Sequence, residues 1–245
     1  MTKAGTYILI YLALFLMAIA SGSLIFLFRS DQRKSTRLLL AFSGAFLIGI
    51  CFLDLIPEVF ASEVRFIGLF VMAGFLIQLV LELITEGAEH GHTHIHREDE
   101  RMSPFLLLSG ICIHSFLEGM PVIGHFGEKI QYTLVLAIII HNIPISLTLM
   151  SLFLHYGCSR KKALLYLVLF ALMTPLGSLT SSFFTFSNPQ DMERFNHYIL
   201  AVVIGIFLHV STSILFETEE NHKYNVRKFF AVCLGLLTSF GISLL

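Results

Sequence analysis

The sequence predicts an all-α membrane protein with eight transmembrane helices. Three observations predict it: 56% of the 245 residues are hydrophobic, only 13% are charged, and the mean hydropathy is +0.80. Soluble domains carry about 25% charged residues, so this composition excludes a soluble enzyme, a nucleic-acid-binding module and a disordered regulator. A bilayer crossing needs about 20 apolar residues, and the chain has room for eight crossings and their loops.

Eight long apolar runs bounded by charged residues are the predicted spans. In chain order they cover 7–28, 38–57, 66–84, 104–124, 131–154, 163–186, 195–216 and 229–245. The first run is similar to a signal peptide, because Lys3 precedes it and the residues at 18–20 read Ala-Ile-Ala. Its apolar stretch is longer than a typical signal core. We therefore interpret it as a span, and residues 1–245 as a single transmembrane domain.

Positively charged residues are distributed unevenly between the two sets of loops. The loops that follow spans one, three, five and seven carry twelve Lys and Arg residues, and the opposite side carries four. Cytoplasmic loops hold the excess of positive charge. The sequence therefore predicts a multi-pass protein of the plasma (inner) membrane with both termini outside.

One predicted cytoplasmic loop, 86–103, is longer than the others and rich in histidine. It has too few apolar residues to fold alone, so we expect it to be flexible. Alternate imidazoles with flanking carboxylates suit a cation such as zinc, whereas a solvated polar linker is the alternative interpretation. The candidate ligands in this loop are His90, His92, His94 and His96.

Spans four and five carry ionisable side chains at the depth where lipid is expected. Such a group costs about 2.5–3.5 kcal/mol at the bilayer centre, which makes His114, Glu118 and His141 functional candidates. His114 and Glu118 are four residues apart and share a helix face. His114 lies ten residues after Pro104 and His141 ten residues after Gln131, so each is about 15 Å deep. Because the connecting loop is short, we expect antiparallel neighbours whose three side chains meet at the midplane.

Two imidazoles and one carboxylate form a ligand set without a thiolate. This set suits Zn²⁺, Fe²⁺ or Mn²⁺ better than Cu⁺, and it leaves one coordination position open for water. The alternative is that His114 and Glu118 only hydrogen-bond to each other inside the bundle.

Other polar residues in the spans are less specific. Asp54, near the outer end of span two, could attract cations at an outer mouth, or could be an interfacial acid. Gln78 and Glu82 on span three, His209 in span seven and Glu217 at its inner end could line an exit. Each could equally be a helix–helix hydrogen bond.

Together these residues resemble the ZIP (Zrt/Irt-like) family of metal transporters over nearly the whole chain. Residues 114–119 resemble the family's fourth-helix His-Asn-x-x-Glu-Gly motif, and 141–144 resemble its fifth-helix His-Glu-x-Pro-His-Glu motif. Residues 52–58 resemble the second-helix Phe-Leu-His-Leu-x-Pro-Glu, and 174–177 resemble the sixth-helix Pro-Leu-Gly element. The resemblance implies a ZIP-like bundle with helices four and five central. It also implies transport of a divalent metal toward the cytoplasm, with zinc first and Fe²⁺, Mn²⁺ or Cd²⁺ as further cargo.

The resemblance also assigns roles by position. His114, Glu118 and His141 match the ligands of the family's main site, but Ile145 replaces the second His of the fifth-helix motif. At the second metal site of the family only Glu118 survives here as a charged group, so we expect a single metal ion. At most weak or second-site contacts are expected from Ser115, Asn142 and Thr174.

The mechanism we expect is alternating access, in which metal passes Asp54, binds the central residues and leaves toward Glu82, Glu217 and the His-rich loop. Imidazoles must be neutral to ligate, so binding should weaken below a pH of about 6.5.

Two alternatives remain open: an intramembrane zinc hydrolase with Glu118 as general base, and a metal-sensing membrane protein without transport. The expected partners are a divalent metal ion and the lipid bilayer, with a homodimer left open. Neither an organic cofactor nor nucleic acid is expected.

Overall fold

The structure is a computed structural model that describes residues 3–27, 33–85, 103–124, 126–184, 186–216 and 226–245. Within these residues it contains eight helices that are long and apolar enough to cross a membrane, which confirms the predicted all-α fold. These spans, in chain order, are Gly5–Phe26, Ser35–Ala61, Ile67–Thr85, Pro104–Ile123, Glu128–His155, Arg160–Ser182, Pro189–Phe216 and Val226–Ser243. The four histidines at 90–96 and Glu217 lie outside the described residues.

Span two is longer than the apolar pattern predicts, because it continues past Pro57. Its α-helix, Arg33–Ile50, passes into a π-helical segment, Cys51–Leu55, and then into a short helix, Ile56–Ala61. The Ile56 N–H donates to the carbonyl of Cys51, five residues earlier. This wider turn continues the backbone hydrogen bonding up to a proline that cannot donate. Asp54 lies within the segment and is buried.

A short connection joins the end of span four to the start of span five. The α-helix of span four, Pro104–Gly119, tightens into a 3₁₀ turn at Met120–Ile123, where Pro121 lacks the N–H that would continue the α-helix. Span five then runs without interruption through Pro144. It is the most buried span, with 78% of its apolar window inside the bundle, against 11% for span eight.

The spans pack as two groups of four helices. The closest helix pairs are three with seven and two with eight in one group, and one with five and four with six in the other. We call spans one, four, five and six the site group, and spans two, three, seven and eight the outer group. Backbone contacts between the groups join mainly span two to span five and span three to span four.

Glycine permits the close approach within each group. A Cβ atom at Gly119 would overlap the carbonyl of Thr174 on span six, and one at Gly74 would overlap the carbonyl of Val202 on span seven. Small residues at such positions let helix backbones touch, which stabilises helix pairs in lipid through van der Waals contact.

Spans four and five meet in a different way. The backbone of span four approaches spans six and three, and it approaches span five mainly at its Met120–Ile123 end. In the middle of the bundle the two spans therefore meet through their side chains, and those side chains are polar.

Candidate metal centre

Three side chains predicted from the sequence lie together between spans four and five. His114 and Glu118 occupy one face of span four, and His141 faces them from span five. All three are completely buried. The helical spacing of four residues stacks His114 above Glu118, and the similar depth of His141 in span five brings its ring to the same level.

The distances in this cluster suit a divalent ion. His114 Nε2 lies 2.9 Å from Glu118 Oε1, and His141 Nε2 lies 3.9 Å from the same oxygen. One ligand atom from each residue fits within 4.8 Å of the others, and among the described residues no other group of three or more His, Cys, Asp or Glu does so. Tetrahedral zinc with bonds of 2.0–2.2 Å separates its ligand atoms by about 3.3–3.6 Å. Small side-chain shifts would therefore enclose one ion.

The alternative interpretation expects a hydrogen bond between His114 and Glu118, and their 2.9 Å contact is short enough for one. Its geometry does not make it one, because neither carboxylate oxygen of Glu118 has a hydrogen-bond partner among the residues described. Burying a charge costs several kcal/mol unless it is paired. A dication between the carboxylate and the two imidazoles would offset that cost.

A fourth residue, Gln78 of span three, completes the surroundings of His114. It is completely buried, and its side-chain oxygen lies 2.8 Å from His114 Nδ1. The sequence places Gln78 on one face with Glu82, and we expected each either to line an exit or to form a helix–helix hydrogen bond. An amide inside an apolar span was the available signal, but its partner depends on how span three packs against span four.

Comparison with known proteins now identifies the family. The model of the family described as ZIP zinc transporter matches residues 86–243, which is more than half of the chain. The chain belongs to the ZIP family. This confirms the resemblance found in the sequence, and with eight apolar helices it makes the chain a multi-pass membrane protein.

Several zinc transporters are similar to this ZIP chain. Zinc transporter foi of Drosophila melanogaster is 27% identical over 169 residues, covering 65% of this chain and 23% of that protein. Zinc transporter ZIP13 of Pongo abelii is 26% identical over 228 residues, covering 84% and 66%. Zinc transporter ZIP9-B of Xenopus laevis is 26% identical over 155 residues, covering 60% and 50%. The chain thus spans between about a quarter and two thirds of the length of these relatives.

The residues expected as second-site contacts in this ZIP chain are buried but differently engaged. The hydroxyls of Ser115 and Thr174 lie 2.8 Å apart and hydrogen-bond to each other across spans four and six. Asn142 is buried beside His141, and its backbone carbonyl accepts from the Ser146 hydroxyl at 2.7 Å. A weak contact from any of them to a metal stays a prediction.

Two residues expected along the path, Asp54 and Glu82, contact residues other than the three ligands. Asp54 Oδ1 accepts from the Ser243 hydroxyl at 3.0 Å and lies 3.7 Å from Lys129 Nζ. This links spans two, five and eight at one end of the bundle. Toward the other end, Glu82 Oε2 lies 3.3 Å from His209 Nδ1.

A cavity that the sequence did not predict opens at the end where Asp54 lies. Its volume is about 700 Å³, and its lining includes the carboxylates of Glu58 and Glu193 and the imidazole of His197. His197 Nδ1 lies 2.8 Å from the carbonyl of Glu193, so this nitrogen donates to that carbonyl and Nε2 carries the ring's acceptor site. The three residues belong to spans two and seven, and only the folded bundle brings them together.

Proposed function

We propose that this ZIP protein transports a divalent metal ion, zinc in the first place, across the membrane toward the cytoplasm by alternating access. The observation that carries the proposal is the convergence of His114, Glu118 and His141, completely buried and with ligand atoms within 4.8 Å. The zinc transporters similar to the chain support zinc as the cargo. Fe²⁺, Mn²⁺ and Cd²⁺ favour related donor sets and are the other cargo to test.

The chemistry at the centre is ligand exchange. An arriving ion gives up part of its water shell for two imidazole nitrogens and one carboxylate oxygen. Three protein donors leave a fourth tetrahedral position for water. An open position lets ligands exchange one at a time, which favours release as well as binding.

The two helix groups provide a physical basis for alternating access. The three ligands lie on the site group, whereas Gln78, Glu82 and Asp54 lie on the outer group. Close backbone contacts hold each group together, and fewer contacts join the groups. Movement of one group against the other would therefore open the central cluster to one side and then to the other.

The distribution of Lys and Arg supports the orientation of the proposed path in the membrane. With the loops after the odd-numbered spans in the cytoplasm, the cavity at Glu58, Glu193 and His197 faces outside and can admit a hydrated cation. Glu82 and His209 then lie near the cytoplasmic ends of spans three and seven and offer the next carboxylate and imidazole.

The proposal is tested by zinc uptake into vesicles that contain the purified protein and a trapped zinc indicator. We expect His114→Ala and Glu118→Ala to abolish uptake, because each removes a ligand from a set of three. His155→Ala is the matched control: it removes an exposed imidazole at the end of span five and should leave uptake unchanged. Unimpaired uptake in both site variants would refute the assignment. Zinc binding without uptake by the unmodified protein would favour one of the two alternatives without transport, a metal-sensing membrane protein or an intramembrane zinc hydrolase.

A further inference from the structure

Gln78 is a polar residue in one of the most apolar segments of the protein. Span three has a mean hydropathy of 2.4, yet the Gln78 side chain is completely buried in it. A buried amide without a partner costs roughly 1–3 kcal/mol. The hydrogen bond to His114 Nδ1 at 2.8 Å offsets this cost.

The direction of this hydrogen bond determines which group carries the proton at His114 Nδ1. An amide oxygen only accepts, so the proton between the two groups belongs to His114 Nδ1. A neutral imidazole carries one N–H, and its other nitrogen has the lone pair. That other nitrogen, Nε2, is the atom that lies 2.9 Å from Glu118 Oε1.

We propose that Gln78 is a positioning residue for the metal site. Its hydrogen bond holds His114 in the Nδ1–H tautomer and directs the Nε2 lone pair toward Glu118 and His141, so that a divalent cation meets a pre-arranged ligand set. This inference rests on the central site of the proposed function and adds a residue to it from span three. Outer partners of metal-binding histidines typically contribute 10–100-fold in metal affinity.

Gln78 also joins the two helix groups, because span three belongs to the outer group and His114 to the site group. A displacement of the two groups that separated Gln78 from His114 would break this hydrogen bond. The Nδ1–H tautomer of His114 would then no longer be favoured, and the affinity for the ion would fall. The hydrogen bond therefore makes tight binding depend on the position of the site group.

The first test is equilibrium zinc binding to the full-length protein in detergent, measured by competition with a chelating indicator. Gln78→Met keeps the length of the side chain but removes the acceptor, and it should raise the Kd for zinc about tenfold or more. Gln78→Glu keeps an acceptor oxygen and should not show this loss of zinc affinity, because carboxylates are common outer partners of metal-binding histidines. Gln131→Met is the matched control, because Gln131 donates to the Val122 carbonyl and contacts none of the three ligands.

The second test reads the tautomer itself. In protein labelled with ¹⁵N-histidine, solid-state NMR distinguishes a protonated Nδ1 from a protonated Nε2, and the His114→Ala variant assigns the signal. We expect Nδ1–H in the unmodified protein and in Gln78→Glu, and a shift toward Nε2–H in Gln78→Met. A merely structural role for Gln78 would change stability and leave the tautomer as it is.

The outcomes separate the two proposals. Unchanged zinc affinity and an unchanged His114 tautomer in Gln78→Met would overturn the role of Gln78 and leave the central site intact. Failure of the unmodified protein to bind zinc at all would overturn the central site and, with it, this inference. If Gln78→Met does not fold, Gln78→Asn takes its place in both tests. Its side-chain oxygen is one methylene too short to reach His114, so we expect the same loss of zinc affinity.

Discussion

The two helix groups both bury ionisable side chains, but they arrange them differently. In the site group, His114, Glu118 and His141 cluster in the middle of the bundle, away from either end. In the outer group, Asp54 lies near one end of its span, and Glu82 lies near the other end of the bundle with its side chain 24% exposed. Near an end, Asp54 has the ammonium of Lys129 as a partner, and Glu82 is partly exposed to solvent. Groups in the middle need one another, or an ion.

The groups are alike in how their helices pack. Each uses glycines where two backbones touch, and each contains a buried serine whose hydroxyl donates to a backbone carbonyl of its own helix, Ser146 in the site group and Ser43 in the outer group. Packing alone therefore does not create the metal centre. The centre results from the choice of three side chains at one depth on spans four and five.

The largest expected difference is in zinc affinity, between variants of two buried carboxylates, one in each group. Glu118→Gln should raise the Kd for zinc about 100-fold or more, because breaking a buried charged pair costs about 3–5 kcal/mol. Asp54→Asn should leave the Kd nearly unchanged, since Asp54 contacts Ser243 and Lys129 instead of the three ligands. Competition with a chelating indicator measures both values. An equal loss in the two variants would mean that Asp54 belongs to the metal site and that the contrast between the groups is wrong.

An intermediate effect is expected from adding a methyl group at a glycine contact in each group. A Cβ at Gly177 would overlap the Phe116 carbonyl of span four, and one at Gly235 would overlap the Phe42 carbonyl of span two. Each Gly→Ala change should cost about 1–3 kcal/mol of stability through overpacking, seen as a lower midpoint of thermal unfolding by circular dichroism.

Only Gly177→Ala should also weaken zinc binding, because Phe116 lies between His114 and Glu118 in the sequence and its displacement moves both ligands. Gly241→Ala is the control on span eight, where an added Cβ meets no atom within 4 Å. If Gly235→Ala weakened zinc binding as much as Gly177→Ala does, the site would depend on the whole bundle and not on the site group.

The smallest effect is expected within the site group itself, at the hydrogen bond between Ser115 and Thr174. Replacing both residues, as Ser115→Ala with Thr174→Val, removes donor and acceptor together and should be nearly neutral for stability. Metal analysis of the purified protein should give one zinc per chain before and after the change. Two zincs per chain, with one lost in the double variant, would make these residues second-site ligands and contradict the prediction of a single ion.

Much of this arrangement could be predicted from local sequence features. The apolar runs predict eight spans, and most of their ends fall within a few residues of the helix ends. Span seven begins at Pro189 instead of 195, because its first turns are polar and an apolar pattern does not include them. Span two reaches Ala61 because the π-helical segment carries it past Pro57, which no apolar pattern records.

The central cluster was predictable for a geometric reason. A spacing of four residues places His114 and Glu118 on one face of any helix, and a rise of 1.5 Å per residue sets the depth of His141 in any straight span. Both quantities are properties of the helix alone, and the short connection between spans four and five leaves little freedom in how the two are aligned.

The sequence by itself determined the number of spans, their approximate ends, and the depth and helix face of three ionisable side chains, all of which follow from composition and from helix geometry. Only the tertiary structure decided which helices, and which side chains on them, lie next to one another. It placed Gln78 against His114, paired Ser115 with Thr174, joined Asp54 to Ser243 across 189 residues of sequence, and divided the spans into two groups. The physical reason is that lipid and protein interior are almost equally apolar. A hydrophobic pattern therefore marks a span but not the face that packs, and helix pairing in the membrane depends on the fit of small residues and on a few polar contacts between distant parts of the chain.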